Sequence, residues 1–331
     1  MSELRLNLVT REWVVIATER AKRPADYANS KAFKPPLPDH ISSCPFCPDN
    51  EHRTPKERYR LPDDGSWRVR VVENKYPALT GGEVSRAVNG IRRSVTGVGI
   101  HEVIIESRLH NISTALMELA HLQDVIRTYR ERFILAHGDP RVDHVIIFKN
   151  HGEGAGTSLE HTHSQLIATP VVPVQFRERV WAAQQFFDNA GECLMCTILR
   201  QEREEGVRVI LDTEHFLTFI PYAALSPFHT WIFPKRHSAS FSTISDEEIK
   251  DLAFHMKTFL SKCFYGLENP DYNYVIKSSR PRDRENEYCH WYLSVVPRVV
   301  ETAGFEIGTG MFINTSVPER SAEFIRGVPV E

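Results

Sequence analysis

The sequence predicts a duplicated fold, with two related halves that each set several strands about one long helix. Two C-x-x-C pairs, Cys44/Cys47 and Cys193/Cys196, each stand ahead of a run of strands. A lone histidine, His110 in the first half and His237 in the second, precedes a long amphipathic helix. A second histidine follows on the last strand of each half, 51 residues after His110 at His161 and 53 after His237 at His290. Matching order and spacing point to an internal repeat, and the period is too long for a solenoid. The halves are placed at residues 1–175 and 176–331.

The elements follow in order. Arg11–Thr18, rich in tryptophan, valine and isoleucine, reads as a strand. Arg20, Lys22, Arg23 and Pro24 come next and, taken alone, read as a solvated basic turn. Residues 25–43 carry several prolines and read as a loop leading to the first cysteine pair. Strands are expected at Trp67–Glu73 and His101–Glu106. Asn74-Lys75-Tyr76-Pro77 lies between them as a turn, and Gly81–Ser94 as a polar, mobile loop. Leu119, Leu122, Ile126, Tyr129 and Phe133 share one helical face within 114–137, and Gly138 stops that helix. The strand His144–Phe148 leads into the segment Asn150–Pro170, and a helix at Gln175–Ala190 links the halves.

In the second half, strands are expected at Val207–Leu211, His215–Pro221 and His229–Pro234. Ser245 and Glu248 then form a capping box at the start of a helix. Its apolar face is Ile249, Leu252, Met256, Phe259 and Cys263, which makes Cys263 a core residue. Strands at Tyr272–Ile276 and His290–Val296 complete the half.

The chain has 331 residues, 41% hydrophobic and 25% charged, with a formal charge of −3. That balance is ordinary for a soluble globular protein and gives no global attraction to nucleic acid or an anionic membrane. No apolar run approaches a membrane span and the N-terminus lacks an apolar signal core, so a cytoplasmic location is expected. In that compartment C-x-x-C suits a metal or redox chemistry better than a structural disulfide. The prolines around Cys44 and Cys47 favour a metal knuckle. Two zinc sites follow: Cys44, Cys47, His110 and His161, and Cys193, Cys196, His237 and His290. Two thiolates with two imidazoles make a closed tetrahedral set. The opposing reading leaves His110 and His237 as surface histidines in turns. Cys289, next to His290, could confuse the second set.

The segment H-T-H-S-Q at 161–165 carries the chemistry. Read as a strand, it projects His161, His163 and Gln165 to one face, a poor choice for core packing. The glycine-bearing loop Gly152–Ser158 ahead of it could bring its backbone close to a phosphate. Neutral imidazole is a competent nucleophile toward phosphorus, provided one ring nitrogen is free and the other held by an acceptor. Gln165 can donate hydrogen bonds to phosphoryl oxygens without supplying a proton. The second half has Tyr292 and Ser294 at the positions matching His163 and Gln165, so only the first half reads as catalytic.

These residues resemble the H-x-H-x-Q signature of the galactose-1-phosphate uridylyltransferases, the transferase branch of the histidine-triad superfamily. Thr162 departs from the proline usual in that family. The resemblance extends along most of the chain, through E-R-A-K-R-P at Glu19–Pro24, V-x-N at Val72–Asn74, the interval Asn150–His161 and the C-P-F-C set. It implies an α+β fold, a duplicated histidine-triad-like half-barrel of antiparallel sheets with flanking helices. It also implies a ping-pong reaction in which His163 attacks the α-phosphorus of UDP-glucose, expels glucose 1-phosphate and holds a uridylyl group for galactose 1-phosphate, as in galactose metabolism. Gln165 and Ser158 would then meet the transferring phosphoryl group, with Gly156 inside the phosphate loop. Arg20 and Arg23 would lie near the phosphates, which replaces the solvated-turn reading, and Asn74 and Asn150 would hold the nucleotide. A homodimer is implied too.

Two departures bear on the substrate. Well-known members use a glutamate and three histidines at the second metal, whereas a C-x-x-C set looks more like the branch with plant ADP-glucose phosphorylase; iron is an alternative metal there. Thr309 and Gly310 stand where the usual family has a tyrosine and a glutamate contacting the hexose. Adenylyl transfer to phosphate from ADP-glucose is therefore the alternative to uridylyl transfer. A histidine-triad nucleotide hydrolase would carry a third histidine as acid–base group where this chain has Gln165. A zinc-scaffolded binding protein would have no need of His163 and Gln165.

Overall fold

The computed structural model describes residues 2–20, 26–27, 37–64 and 66–330, apart from the side chain of Arg20. In chain order the strands and helices are β1 (Glu3–Leu6), β2 (Trp13–Ile16), β3 (Glu57–Leu61), β4 (Val69–Glu73), β5 (Arg86–Asn89), β6 (Arg92–Val95), β7 (Ile100–Ile105) and α1 (Leu119–His137). Next come β8 (His144–His151), β9 (His163–Thr169), α2 (Val174–Ala190), α3 (Leu194–Glu205), β10 (Val209–Asp212), β11 (Phe216–Phe219) and β12 (Thr230–Pro234). The chain closes with α4 (Asp246–Gly266), β13 (Tyr272–Lys277), β14 (Tyr292–Pro297), α5 (Gly304–Thr309), β15 (Phe312–Asn314) and α6 (Pro318–Gly327).

The repeat is visible in the main sheet. Its ten strands run β10-β11-β12-β14-β13-β8-β9-β7-β4-β3, all neighbours antiparallel. Read outward from the centre, each half gives its fourth, fifth, third, second and first strand. The halves meet where β8 pairs with β13, Phe148 opposite Val275 and Asn150 opposite Asn273. One long helix crosses between the third and fourth strands of each half: α1 in the first and α4 in the second. These two helices pack against each other and cover one face of the sheet. Leu122, Ile126, Tyr129 and Phe133 of α1 and Ile249, Leu252, Met256 and Phe259 of α4 enter one continuous core. The capping box at Ser245 is formed, with the hydroxyl accepting from the Glu248 N–H at 3.1 Å and the Glu248 carboxylate accepting from the Ser245 N–H at 2.9 Å. Cys263 lies in that core, as its position on the helix predicts. A small sheet, β1-β2-β15, joins the first and last parts of the described chain, with β15 parallel to β2.

Several elements differ from the sequence expectation. The segment 81–94 does not remain a loop throughout: β5 and β6 form a two-stranded hairpin with Gly90 at φ +61° in its turn, where a backbone without Cβ is favoured. Cys193 and Cys196 lead into helix α3 rather than directly into strands. The ladder of β9 begins at His163, so His161 lies just outside it. The reason is local: the His161 carbonyl accepts from its own neighbour's ring, His163 Nδ1, at 2.8 Å and is not spent on a partner strand. None of the helices among the described residues is long and apolar enough to cross a membrane.

Candidate active site

Alternation along β9 sorts its side chains. Ser164, Leu166 and Ala168 are buried toward the helices, and Gln165, Ile167 and Thr169 are only half-buried on the opposite face. His163 starts this opposite row and is itself 7% exposed. Its ring orientation is set from behind. Since the His161 carbonyl can only accept, His163 Nδ1 must carry the proton, and Nε2 keeps the lone pair. Burial lowers the His163 pKa, so the ring is held neutral.

His161 turns its ring the other way. Its Nδ1 faces Cys44 Sγ at 3.7 Å and Cys47 Sγ at 3.6 Å, while His110 Nδ1 lies 3.5 Å from Cys47 Sγ. In the second half, Cys196 Sγ lies 3.4 Å from His237 Nδ1 and 3.5 Å from His290 Nδ1. Within each set, Cys44, Cys47, His110 and His161 or Cys193, Cys196, His237 and His290, all four ligand atoms lie within 4.8 Å of one another. Tetrahedral metal–sulfur and metal–nitrogen bonds of ordinary length require sulfur–nitrogen edges of about 3.6 Å. Each donor set therefore fits one metal ion. The outward nitrogens agree: Nε2 of His161, His237 and His290 meets the carbonyl of Ser107, Asn286 and Pro234 at 2.8, 3.0 and 3.0 Å. Those acceptors fix the proton on Nε2 and leave Nδ1 free to ligate. Burial also lowers the His161 pKa to about 4, favouring the neutral, ligating form. Cys289 is buried but outside the second set.

The loop between β8 and β9 is shaped by the other half of the molecule. Gly152 and Gly156 have φ of +83° and +87°. A Cβ on Gly152 would stand 1.9 Å from Asp271 Oδ1, and the Gly154 N–H donates to Asp271 Oδ2 at 2.8 Å. Only glycine satisfies both the backbone conformation and the approach at 152. Asn273 Nδ2, from β13, donates to Asn150 Oδ1 at 2.8 Å and to the Ala155 carbonyl at 2.9 Å. Ser158 is exposed at the end of this loop. Asn74 caps its own turn, its Oδ1 accepting from the Tyr76 N–H at 2.8 Å, and reaches toward Gln165. A cleft of about 680 Å³ lined by Asn74, Pro77, Leu79 and His101 opens beside them. The structure thus gathers His163, Gln165 and Asn74 around one end of the sheet and brings Asn150 and Gly156 onto the adjoining loop. Arg23 and the side chain of Arg20 lie outside the described residues.

Sequence reasoning missed Asn273 and Asp271, which act from the second half, and the charge pair beneath β9. Lys149 and Glu106, each 1% exposed in the side chain, form an ion pair. Thr162, the residue that departs from the family's proline, joins both: its hydroxyl donates to Glu106 at 2.9 Å and accepts from Lys149 Nζ at 2.7 Å. Tyr129 adds a hydrogen bond to Glu106 at 2.5 Å, and Lys149 Nζ stands 3.3 Å from the His163 carbonyl. Burial alone would raise the Glu106 carboxyl, but the Lys149 ammonium and the hydroxyl donors outweigh it and hold it at about 2. The one sequence signal was a charged residue following each apolar run, V-I-I-E and V-I-I-F-K.

Lys149→Met leaves that carboxylate buried and unpaired, at an expected cost of about 3–5 kcal/mol at pH 7. The sign with pH follows from the depressed carboxyl. The pair's stabilisation is complete above the ordinary carboxyl value of 4.5 and is lost as pH falls toward 2. The gap between wild type and variant therefore narrows below pH 4.5. Denaturant unfolding of both proteins across pH 3–7 checks this; a gap independent of pH contradicts it.

Comparison with known proteins completes the picture. The galactose-1-phosphate uridyl transferase N-terminal domain matches residues 1–173, and the C-terminal domain of the same name matches residues 179–301. The chain belongs to the galactose-1-phosphate uridyl transferase family. By membership it is a nucleotidyltransferase. Within this family it is 37% identical to an ADP-glucose phosphorylase of Arabidopsis thaliana, over 98% of this chain and 93% of that one. It is 28% identical to a galactose-1-phosphate uridylyltransferase of Thermotoga maritima, over the full length of both. A crystal structure of an ADP-glucose phosphorylase from Arabidopsis thaliana with bound ADP-glucose superposes with a TM-score of 0.83, 32% identity and full coverage of both chains.

Proposed function

We propose that the protein transfers a nucleotidyl group from a nucleotide sugar by way of a covalent nucleotidyl-histidine at His163. The observation that carries this is the His163 ring, whose Nδ1 is committed to the His161 carbonyl and whose Nε2 is left as the nucleophile. In the first half-reaction Nε2 attacks the α-phosphorus, and the phosphorus–oxygen bond to the sugar phosphate breaks. Glucose 1-phosphate leaves as an anion that needs no proton, so an amide at Gln165 suffices where a leaving group of high pKa would demand an acid. Gln165, Ser158 and the Gly156 backbone meet the phosphoryl oxygens, Arg20 and Arg23 serve the phosphates, and Asn74 and Asn150 hold the nucleotide. In the second half-reaction a phosphate oxygen attacks the same phosphorus and frees His163.

ADP-glucose as donor with inorganic phosphate as acceptor is the reading supported by the 37% relative and by the second C-x-x-C set. The absence of the family's hexose-contacting tyrosine and glutamate at Thr309 and Gly310 agrees with it. Uridylyl transfer from UDP-glucose to galactose 1-phosphate is supported by the full-length relative at 28% identity. Zinc is the metal we assign to both sites from their sulfur–nitrogen donor sets, iron being the rival at the second. Bound by Cys44, Cys47, His110 and His161, it would fix the sheet end that carries His163. Residues 1–175 form the catalytic half and residues 176–331 a half that buttresses the loop through Asp271 and Asn273. We further assign a cytoplasmic homodimer, with Phe305 and Ile307 of α5, 42% and 78% exposed, as apolar groups available to a second copy.

Parallel assays separate the two substrate readings. Release of ADP from ADP-glucose that depends on phosphate, at a kcat/KM at least tenfold above galactose-1-phosphate-dependent turnover of UDP-glucose, is expected. The reverse ranking would move the protein to the uridylyl reaction.

A further inference from the structure

A second histidine stands beside His163 on this face of the sheet, and the sequence motif does not include it. His101, on β7, lies opposite Ile167 in the β7–β9 register, next to the pair Val103–Gln165. Its Nδ1 accepts from the backbone N–H of Ala78 at 3.0 Å, and its Nε2 lies 2.8 Å from Gln165 Oε1. A neutral imidazole has one donor and one acceptor nitrogen. Because a backbone N–H can only donate, Nδ1 is the acceptor and the ring proton sits on Nε2. That proton must be received by oxygen, which assigns the Gln165 carbonyl to the His101 side. Asn74 supports the assignment: with its Oδ1 taken by Tyr76, its amide nitrogen lies 3.4 Å from the same Gln165 oxygen. Asn74 Nδ2 also lies 3.0 Å from His101 Nε2; with Nδ1 accepting from the Ala78 N–H, Nε2 is itself a donor and this contact is not counted as a hydrogen bond.

The two ends of a glutamine amide have nearly the same shape, and packing alone hardly distinguishes them. Chemistry at a phosphoryl group does. The NH2 end can donate to an anionic oxygen, whereas the carbonyl end would set lone pairs against it. We propose that His101 is a positioning residue, which fixes the amide of Gln165 with its NH2 end toward the transferring phosphoryl group. The relay runs from the Ala78 N–H through the His101 ring to the Gln165 carbonyl. It rests on the reading of Gln165 as the phosphoryl contact. The turn Asn74–Pro77, which leads to Ala78, is thereby coupled to the orientation of the Gln165 amide.

The test uses the full-length, metal-replete protein and single-turnover formation of the nucleotidyl-enzyme from ADP-glucose. His101→Leu is expected to slow adduct formation by about 10- to 100-fold with little change in the ADP-glucose dissociation constant or in metal content. His101→Gln, whose terminal NH2 can still donate to the Gln165 carbonyl, should recover most of the rate. In a Gln165→Ala background, His101→Leu should cost less than twofold, because a residue acting through Gln165 has nothing left to orient. Equal losses in both backgrounds, or a glutamine variant as slow as the leucine one, would overturn the proposal. Nitrogen–proton correlation spectra of the imidazole rings give a readout free of turnover: His101 should be the Nε2–H tautomer, and the Gln165 side-chain amide signals should move in His101→Leu. If the wild type forms no adduct with ADP-glucose or UDP-glucose, the nucleotidyl-transfer reading fails. The tautomer still decides the relay, and a ring protonated on Nδ1 refutes it.

Discussion

Replacing His163 by glycine should abolish the covalent adduct and lower kcat by about 10⁴-fold or more, the scale seen when a covalent nucleophile is removed, while leaving the fold and the metal content unchanged. The expectation follows from the geometry on each side of the residue. His163 contributes its ring to the catalytic face and only its backbone to β9, where it pairs with Ile105. The adjacent metal set is completed by His161, whose ring points away to Cys44 and Cys47. Rapid-quench measurement of adduct formation, with metal content determined on the same sample, checks the result. A glycine variant that still carried nucleotide covalently would move the nucleophile to another residue.

His161→Ala should behave in the opposite way. It removes one of four ligands from a closed site, so one equivalent of metal should be lost, and the binding energy that holds Cys44, Cys47 and His110 together goes with it. A fall in Tm of at least about 5 °C is expected, corresponding to a few kcal/mol in a chain of this size. Activity falls as well, but not to zero, because the alanine keeps the carbonyl that orients His163 Nδ1. Metal analysis and thermal unfolding of the two variants side by side separate the roles. Equal metal loss in His161→Ala and His163→Gly would contradict the division between anchor and nucleophile.

The features legible in the sequence are those whose chemistry is carried by residue type. Cysteine pairs and histidines at matched spacing disclosed the repeat, and the sheet repeats the same strand order on both sides of the β8–β13 seam. The long helices were legible because a single face must be apolar for α1 and α4 to share a core. The hairpin β5–β6 was not, since all but Val95 of its strand residues are exposed and no apolar alternation marks them; the glycine at its turn was the available signal. Helix α3 begins at Leu194, and its N-cap Cys193 makes no side-chain cap, so nothing but its composition announced it.

The H-T-H-S-Q motif shows the same limit. His161, His163 and Gln165 are read from one short string, whereas the groups that orient them come from distant segments. His101 reaches Gln165 across 64 residues, Glu106 reaches Thr162 across 56, and Asn273 reaches Asn150 across 123. Contacts made by strand pairing leave no local pattern. In the second half, His229 lies two residues ahead of the Trp231–Ser294 pair, as His101 lies two ahead of Val103–Gln165, and its Nε2 meets Ser294 Oγ at 2.9 Å. The histidine-to-strand contact therefore belongs to the repeated unit, and the first half alone presents an amide there.

The central claim is that His163 carries the nucleotidyl group, and intact-mass spectrometry of the metal-replete protein tests it most directly. The protein would be mixed separately with ADP-glucose and UDP-glucose without acceptor, quenched in base to preserve a phosphoramidate, and digested to locate the modified residue. One nucleoside monophosphate on His163, adenylyl with the first donor in the favoured reading or uridylyl with the second, is the predicted result. No adduct with either donor, or an adduct on any residue other than His163, would contradict it.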